Sequence, residues 1–363
     1  MRRRKLPYLW ALLLALPLVA LCFLLQSIPT EVQEASRPYV PEKWDLYGPN
    51  GMRGTPGLSD KKLMETEKVV AYADRVFQLN TVLPQQSGYA LEVAQAVKAY
   101  CPELAHFYLL PIPGRGVLEP DYPAQREQYD TLVQELTARG DVIEVLPQLL
   151  ENGDRNLFYR TENGWNMEGA FYGYQAVLDT LGMEPDNLMS FRTYLFGTFR
   201  GSVVNAQRAA GQSKTLVEAL GNIPSDPYYI YINGRNPNRE KVTSRAADGS
   251  LETVARRTIR MNSLGPGGIV AEDTYLHSLV NGRGTGGVVL VTDSVGKLLA
   301  PYLSEIYQWV YVVNVEKDRE FRQDLPGILE EIGADTVIYA VSETRMGNRS
   351  HMRALNPFIR GEE

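Results

Sequence analysis

Gly287-Val288-Val289-Leu290-Val291-Thr292-Asp293-Ser294-Val295-Gly296 is the stretch from which the fold is best read. It opens as an unbroken apolar run, Val288 to Val291, and a run of that length suits a strand covered on both faces. The chain then turns, and Val295, Leu298, Leu299, Tyr302, Leu303 and Ile306 recur at helical spacing. The alternation continues with a strand from Val310 to Val315, a short helix from Leu325 to Ile332 and a strand from Thr336 to Val341. Strands alternating with helices predict an α/β domain of three layers, with a mainly parallel sheet between two layers of helices.

Towards the N-terminus the pattern is similar. Val69 to Tyr72 and Val76-Phe77 flank Asp74 as a short hairpin, and Tyr89 to Tyr100 reads as a helix stopped by Pro102. Phe107 to Ile112 is a second buried strand, Ala124 to Ala138 a helix closed by Gly140, and Val142 to Leu146 a further strand. Between residues 186 and 274 the pattern loosens. Tyr228 to Ile232 reads as a strand and Val242 to Val254 as a hairpin turning at Asp248-Gly249, so this stretch is expected to be a β-containing insertion in a domain spanning 58–345, with 346–363 as a tail.

The ends set the address. Arg2, Arg3, Arg4 and Lys5 precede an uncharged run from Leu6 to Leu25, just long enough at helical rise to cross a bilayer. A basic cluster stays on the cytoplasmic side, so 1–28 is expected to be a signal anchor that leaves the rest extracytoplasmic at the cell membrane, single-pass. A cleaved signal peptide is the rival. The run closes without a small-x-small site, and Leu21 precedes Cys22 where a lipoprotein site wants a small residue. Residues 29–57, with Pro38, Pro41, Pro49 and Pro56, read as an extended stalk.

Composition narrows the function. The first 30 residues hold four of the 37 basic residues and none of the 43 acidic ones, so the outer part is more acidic than the net −6 of the whole. That balance argues against nucleic acid or anionic lipid as the main partner. Of the two cysteines only Cys101 lies beyond the apolar run, so no internal disulfide framework is expected. The three histidines show no metal-ligand spacing, and neither metal nor cofactor is expected.

Two stretches are candidates for chemistry. Ser294 sits where a buried strand ends and a helix begins, at the carboxyl edge where open α/β sheets bind ligands. The adjoining helix N-terminus would stabilise an oxyanion, which makes Ser294 a candidate nucleophile, with an N-cap as its structural alternative. The second stretch runs from Asn156 to Ala170, with Asn166 as N-cap of a helix whose apolar face includes Met167, Ala170, Phe171, Tyr174, Leu178 and Leu181. On physical grounds alone it is a capped surface turn with a buried tryptophan. The glycine-rich 281–287 precedes its strand, whereas a phosphate-cradling loop follows one, so it is read as a loop.

Tyr159-Arg160-Thr161, Trp165, Gly169-Ala170, then Tyr172, Tyr174 and Gln175 resemble the signature of the bacterial DHHW proteins, written Tyr-Arg-Thr-Asp-His-His-Trp-Thr and then Gly-Ala. Ala105 to Pro113 resembles that family's strand ending in Pro-Thr, Phe196-Gly197-Thr198 its Tyr-Gly-Thr element, and Val291 to Ser294 its Lys-Asp-Ser-Tyr-Ala turn. The matched blocks keep their order from about Lys68 to Val341. The family is similar to the SGNH-type domains of alginate O-acetyltransferases. The resemblance therefore implies a nucleophilic serine at Ser294 beside Asp293, and an Asp-x-His pair supplying orienter and base, because a serine hydroxyl needs an imidazole to take its proton.

At the decisive positions this sequence departs from the pattern. Glu162 stands for the motif's aspartate, Asn163 for its first histidine and Gly164 for the second. Glycine has no proton to exchange, and loss of a triad base removes several orders of magnitude of rate. His277, near the family's Gly-Gly-Asn turn, and His351, in the tail where ordinary SGNH enzymes keep their base, are the candidates for a relocated base, with Glu162 as a direct base a further one; His106 reads as packing. The expectation is a catalytically degenerate, anchored SGNH-like domain that binds a cell-envelope polysaccharide or envelope protein. The alternative is an active serine esterase or O-acetyltransferase with a relocated base.

Overall fold

The computed structural model describes residues 59–82, 85–153, 155–184, 192–232, 242–245, 251–254, 277–280, 285–315 and 325–349. The expected anchor at 1–28, the stalk at 29–57, the glycine-rich residues 281–284 and His351 lie outside the described residues. No helix among the described residues is long and apolar enough to cross a membrane.

In chain order the strands are β1 Lys62–Glu65, β2 Val69–Tyr72, β3 Val76–Gln78, β4 His106–Ile112, β5 Asp141–Val142, β6 Arg192–Phe199, β7 Asp226–Ile232, β8 Val242–Arg245, β9 Leu251–Val254, β10 His277–Val280, β11 Gly287–Thr292, β12 Trp309–Asn314 and β13 Ala334–Ser342. The helices are α1 Gln86–Tyr100, α2 Pro123–Thr137, α3 Leu146–Glu151, α4 Met167–Thr180, α5 Ser202–Ala209, α6 Lys214–Gly221, α7 Ala300–Leu303 and α8 Leu325–Ile332.

The main sheet has the order β5-β4-β13-β11-β12-β10-β8-β9. From β5 to β12 every pairing is parallel, with Leu290 in register with Val312 on one side and Ile338 on the other. The apolar runs of β4, β11, β12 and β13 alternate between two cores. Leu110, Leu290, Val312 and Ile338 meet α4 and α7 on one face, while Leu109, Val289, Tyr311 and Tyr339 meet α1, α2 and α8 on the other. Helix α4 is buried from Met167 to Leu178, and each large apolar side chain so placed contributes about 1.5–3 kcal/mol. Its start is fixed by Asn166, whose side chain accepts from the backbone N–H of Glu168 at 2.9 Å and of Gly169 at 3.0 Å.

Two expected elements differ. The strand expected at Val142 to Leu146 is paired only over Asp141–Val142, because Pro147 sits in the first turn of α3 and Leu146 already belongs to that helix. The helix expected from Val295 to Ile306 is a 3-10 turn, Gly296–Leu299, followed by the short α7. Pro301 lacks the N–H that a continuous α ladder requires.

The loosened middle of the chain divides. β6 and β7 pair antiparallel as a separate ribbon, with α5 and α6 between them in sequence; Val203, Val204 and Leu220 of those helices pack on Val69, Ala71 and Val76 of the three-stranded sheet β1-β2-β3. The hairpin β8-β9 is present, and through β10 it extends the main sheet with antiparallel strands.

Candidate functional site

Strands β4, β13 and β11 are neighbours and parallel, so their carboxyl ends lie side by side. Over them opens a cavity of about 450 Å³, lined from the sheet by Gly114, Ser294, Val295, Ser342, Thr344 and Arg345, and from the other side by Gln78, Asn80, Glu162, Asn163, Gly164 and Ser202. The two stretches singled out in the sequence thus share one pocket, although 130 residues separate Gly164 from Ser294.

The serine turn is held by its neighbour. Asp293 is fully buried, and one carboxylate oxygen accepts from the backbone N–H of Val295 at 3.0 Å and of Gly296 at 2.9 Å. The other oxygen accepts from the Ser342 N–H at 2.9 Å and its hydroxyl at 2.8 Å, tying the end of β11 to the end of β13. The cap of this turn is therefore Asp293, and Ser294 stands half-buried on the pocket wall. Gly296 allows the close approach: a Cβ there would lie 2.1 Å from the Thr292 hydroxyl and 2.2 Å from the Ala340 carbonyl oxygen.

The facing turn is joined to it through Trp165, whose indole N–H donates to the Val295 carbonyl at 2.9 Å. Trp165 is fully buried, and Gly173 leaves it room, since a Cβ there would come within 2.5 Å of the ring. At Gly164 a Cβ would meet Val295 at 3.0 and 3.2 Å. Any side chain at 164 would therefore press on Val295 at its first carbon.

Glu162 and Asn163 are also engaged. One Glu162 oxygen accepts from the Ser202 N–H at 2.7 Å and its hydroxyl at 2.6 Å, and the other from the Asn163 N–H at 3.0 Å. Glu162 thus caps the start of α5, with three donors engaged on its carboxylate. The Asn163 oxygen accepts from the Gln78 N–H at 3.1 Å, and its amide donates to the Asn80 oxygen at 3.3 Å.

Two acidic residues that sequence reasoning passed over organise this site. Asp226 is buried at the start of β7 and accepts from the backbone N–H of Arg160 at 2.6 Å and of Thr161 at 2.8 Å, and from the Thr161 hydroxyl. Burial raises its pKa against those hydrogen bonds. Glu343 follows β13 and accepts from the Asn80 side-chain amide and the Gly114 N–H. Burial, with a smaller contribution from the Asp293 charge, pushes Glu343 up to about 7. The strand-end rule that singled out Ser294 applies equally to Glu343; nothing local in the sequence marks Asp226.

The histidines are placed as follows. His106 opens β4 at the far edge of the sheet, about 20 Å along the strand from Ile112, and stacks on Tyr108. The backbone of His277 is in register with Val312, and through it with Leu290, which sets it two strands from β11, roughly 10 Å sideways.

Fold and site together define an α/β domain with an Asp-Ser turn at the carboxyl edge of a parallel sheet, faced by a Tyr-Arg-Thr turn. A family model described as DHHW protein matches residues 145–313, the stretch that holds the Tyr-Arg-Thr and Asp-Ser motifs. A DHHW family protein from Eubacterium siraeum shares the fold with a TM-score of 0.62 at 14% identity, over 82% of this chain and 98% of that one. Bacillus cereus PatB1, in a structure with a sulfonyl adduct, does so with a TM-score of 0.58 at 13% identity, over 80% of this chain and 97% of that one. PatB1 in a second structure gives 0.55 at 13% identity, over 80% and 98%. Among curated proteins none matches the chain.

Proposed function

We propose that this is an extracytoplasmic SGNH-like DHHW domain, anchored by residues 1–28, whose pocket binds a cell-envelope polysaccharide or envelope protein without turning it over. The observation that carries the reading is the fate of the three motif positions. Glu162 caps a helix, Asn163 bridges Gln78 and Asn80, and Gly164 presents no side chain, with Val295 packed where its Cβ would stand. The pocket wall keeps the hydroxyls of Ser202, Ser294, Ser342 and Thr344 and the side-chain amides of Gln78, Asn80 and Asn163, groups suited to a polyhydroxylated ligand.

One observation favours an active esterase or O-acetyltransferase instead: the backbone of His277 lies on the carboxyl half of the sheet, two strands from the serine. A fluorophosphonate and an acetyl ester applied to the full chain separate the readings. Binding alone gives hydrolysis near background that Ser294→Ala leaves unchanged. Labelling of Ser294, with activity lost in both Ser294→Ala and His277→Ala, would establish the enzyme. The anchor is tested on intact cells, where external protease should remove the domain and leave a fragment that begins at the native N-terminus.

A further inference from the structure

The inner wall of the pocket carries a chain of hydrogen bonds whose direction is fixed at both ends. At one end the Gln78 backbone N–H, which can only donate, meets the Asn163 oxygen. That places the Asn163 amide nitrogen towards the Asn80 oxygen, and the Asn80 amide nitrogen then donates to Glu343. At the other end the Glu343 carboxylate can only accept, and it also takes the Gly114 N–H. Asn80, Asn163 and Glu343 converge so closely over Gly114 that a Cβ there would lie 2.4 Å from the Asn80 nitrogen and 3.0 Å from both the others. Residues on either side of Glu343, Ser342 and Thr344, line the cavity.

A proton on Glu343 changes what this chain can do. One carboxyl oxygen becomes a donor and needs an acceptor, while the other keeps the Gly114 N–H. The acceptor within reach is the Asn80 amide, turned over to present its oxygen. Its nitrogen then faces Asn163, whose amide must turn in its own right to offer an oxygen. The chain now runs the other way, and it ends at the Gln78 N–H, which gives up its partner; Gln78 is exposed, so water takes the vacated bond.

We propose that Glu343 is a proton-operated switch for this pocket, setting through Asn80 and Asn163 which amide groups, donors or acceptors, the wall offers to a ligand. Its meaning for function rests on the reading of the cavity as a ligand site. The charged and titratable groups around Glu343 leave it responsive. Asp293 on the serine turn is a second buried carboxylate that favours the protonated form. Tyr129 of α2 gives its hydroxyl to the Pro111 carbonyl, and Arg115, beside Gly114, is committed to Glu119. Arg345 lies two residues on and lines the pocket. Among the described residues Glu343 has no ion-pair partner, and its pKa near neutrality places the switch in a physiological range.

The test needs no ligand. Ser294→Cys in the full chain places a thiol on the pocket wall, and its alkylation by iodoacetamide is followed between about pH 5.5 and 9, with the Ser294 protein as the blank. The expected profile has two inflections: that of the thiol, and a roughly threefold or larger step near neutral pH as Glu343 ionises. Glu343→Gln, which holds the reversed chain at every pH, should abolish the neutral step, and Asn80→Ala, which cuts the chain but keeps the carboxylate, should diminish it. Identical profiles with glutamate and glutamine at 343 would overturn the switch. An undiminished step in Asn80→Ala would overturn its route through the amides. If Glu343→Gln fails to fold, the Asn80→Ala profile still decides. Either failure leaves the ligand-site reading standing, and failure to find a ligand leaves this profile unaffected.

Discussion

The serine turn and the turn that faces it line the same pocket but are built in different ways. The serine turn is nearly self-sufficient: Asp293 satisfies two N–H groups of its own turn and reaches one strand across to Ser342. The facing turn is assembled from afar, by Asp226, Ser202, Gln78 and Asn80, none of which is near it in the sequence. The turn that departs from the family pattern is the one whose shape is supplied by others. Asp226 holds it through the backbone N–H groups of Arg160 and Thr161, whereas Ser202, Gln78 and Asn80 hold it through the side chains of Glu162 and Asn163, so a change at either of those two gives up part of its support.

The largest effect should come from removing the self-sufficient element's anchor. Asp293→Ala leaves three backbone N–H groups and a hydroxyl without their acceptor, and a loss of about 4 kcal/mol is expected in denaturant unfolding. A loss below about 1 kcal/mol would show that the turn is held by something else and would dissolve the comparison.

Glu343 gives the next effect, and its sign follows from its direction of shift. The carboxyl holds its proton up to about 7 in the folded protein and to its ordinary 4.5 when unfolded. Between these values the unfolded chain binds fewer protons, so stability falls as pH rises through that window, by about 3 kcal/mol in total. Glu343→Gln should flatten that slope, which thermal melts from pH 4 to about 8 would measure. An unchanged slope would mean that other groups carry the pH dependence.

The smallest effect belongs to the altered turn. Gly164→His should cost about 1–2 kcal/mol through contact with Val295 and gain no esterase activity. Adding Val295→Ala should relieve the strain, and ester hydrolysis above background in that double variant would show that the serine turn is still competent.

Much of this was legible in the sequence. Continuous apolar runs at Phe107 to Ile112, Val288 to Val291 and Thr336 to Val341 identify buried parallel strands because only such strands need both faces apolar. The position of Ser294 follows from the strand-end rule. The facing turn was found by resemblance alone, since its partners are set by tertiary packing. Asp226 lies 65 residues beyond the Thr161 it holds, and no spacing rule connects them. The hairpin β8-β9 was legible at Val242 to Val254, but its junction through β10 with the main sheet was not, because short strands joined across loosely patterned stretches show no periodicity long enough to assign them to a sheet.

The packing of Val295 against Gly164 couples what the two positions can hold. Trimming Val295 first opens a hollow that a histidine at 164 can then enter, while the histidine alone must crowd in against the valine. Either order passes through a costly single variant, a cavity when the valine is trimmed first and crowding when the histidine comes first. Only the double variant places an imidazole beside the serine turn with neither penalty.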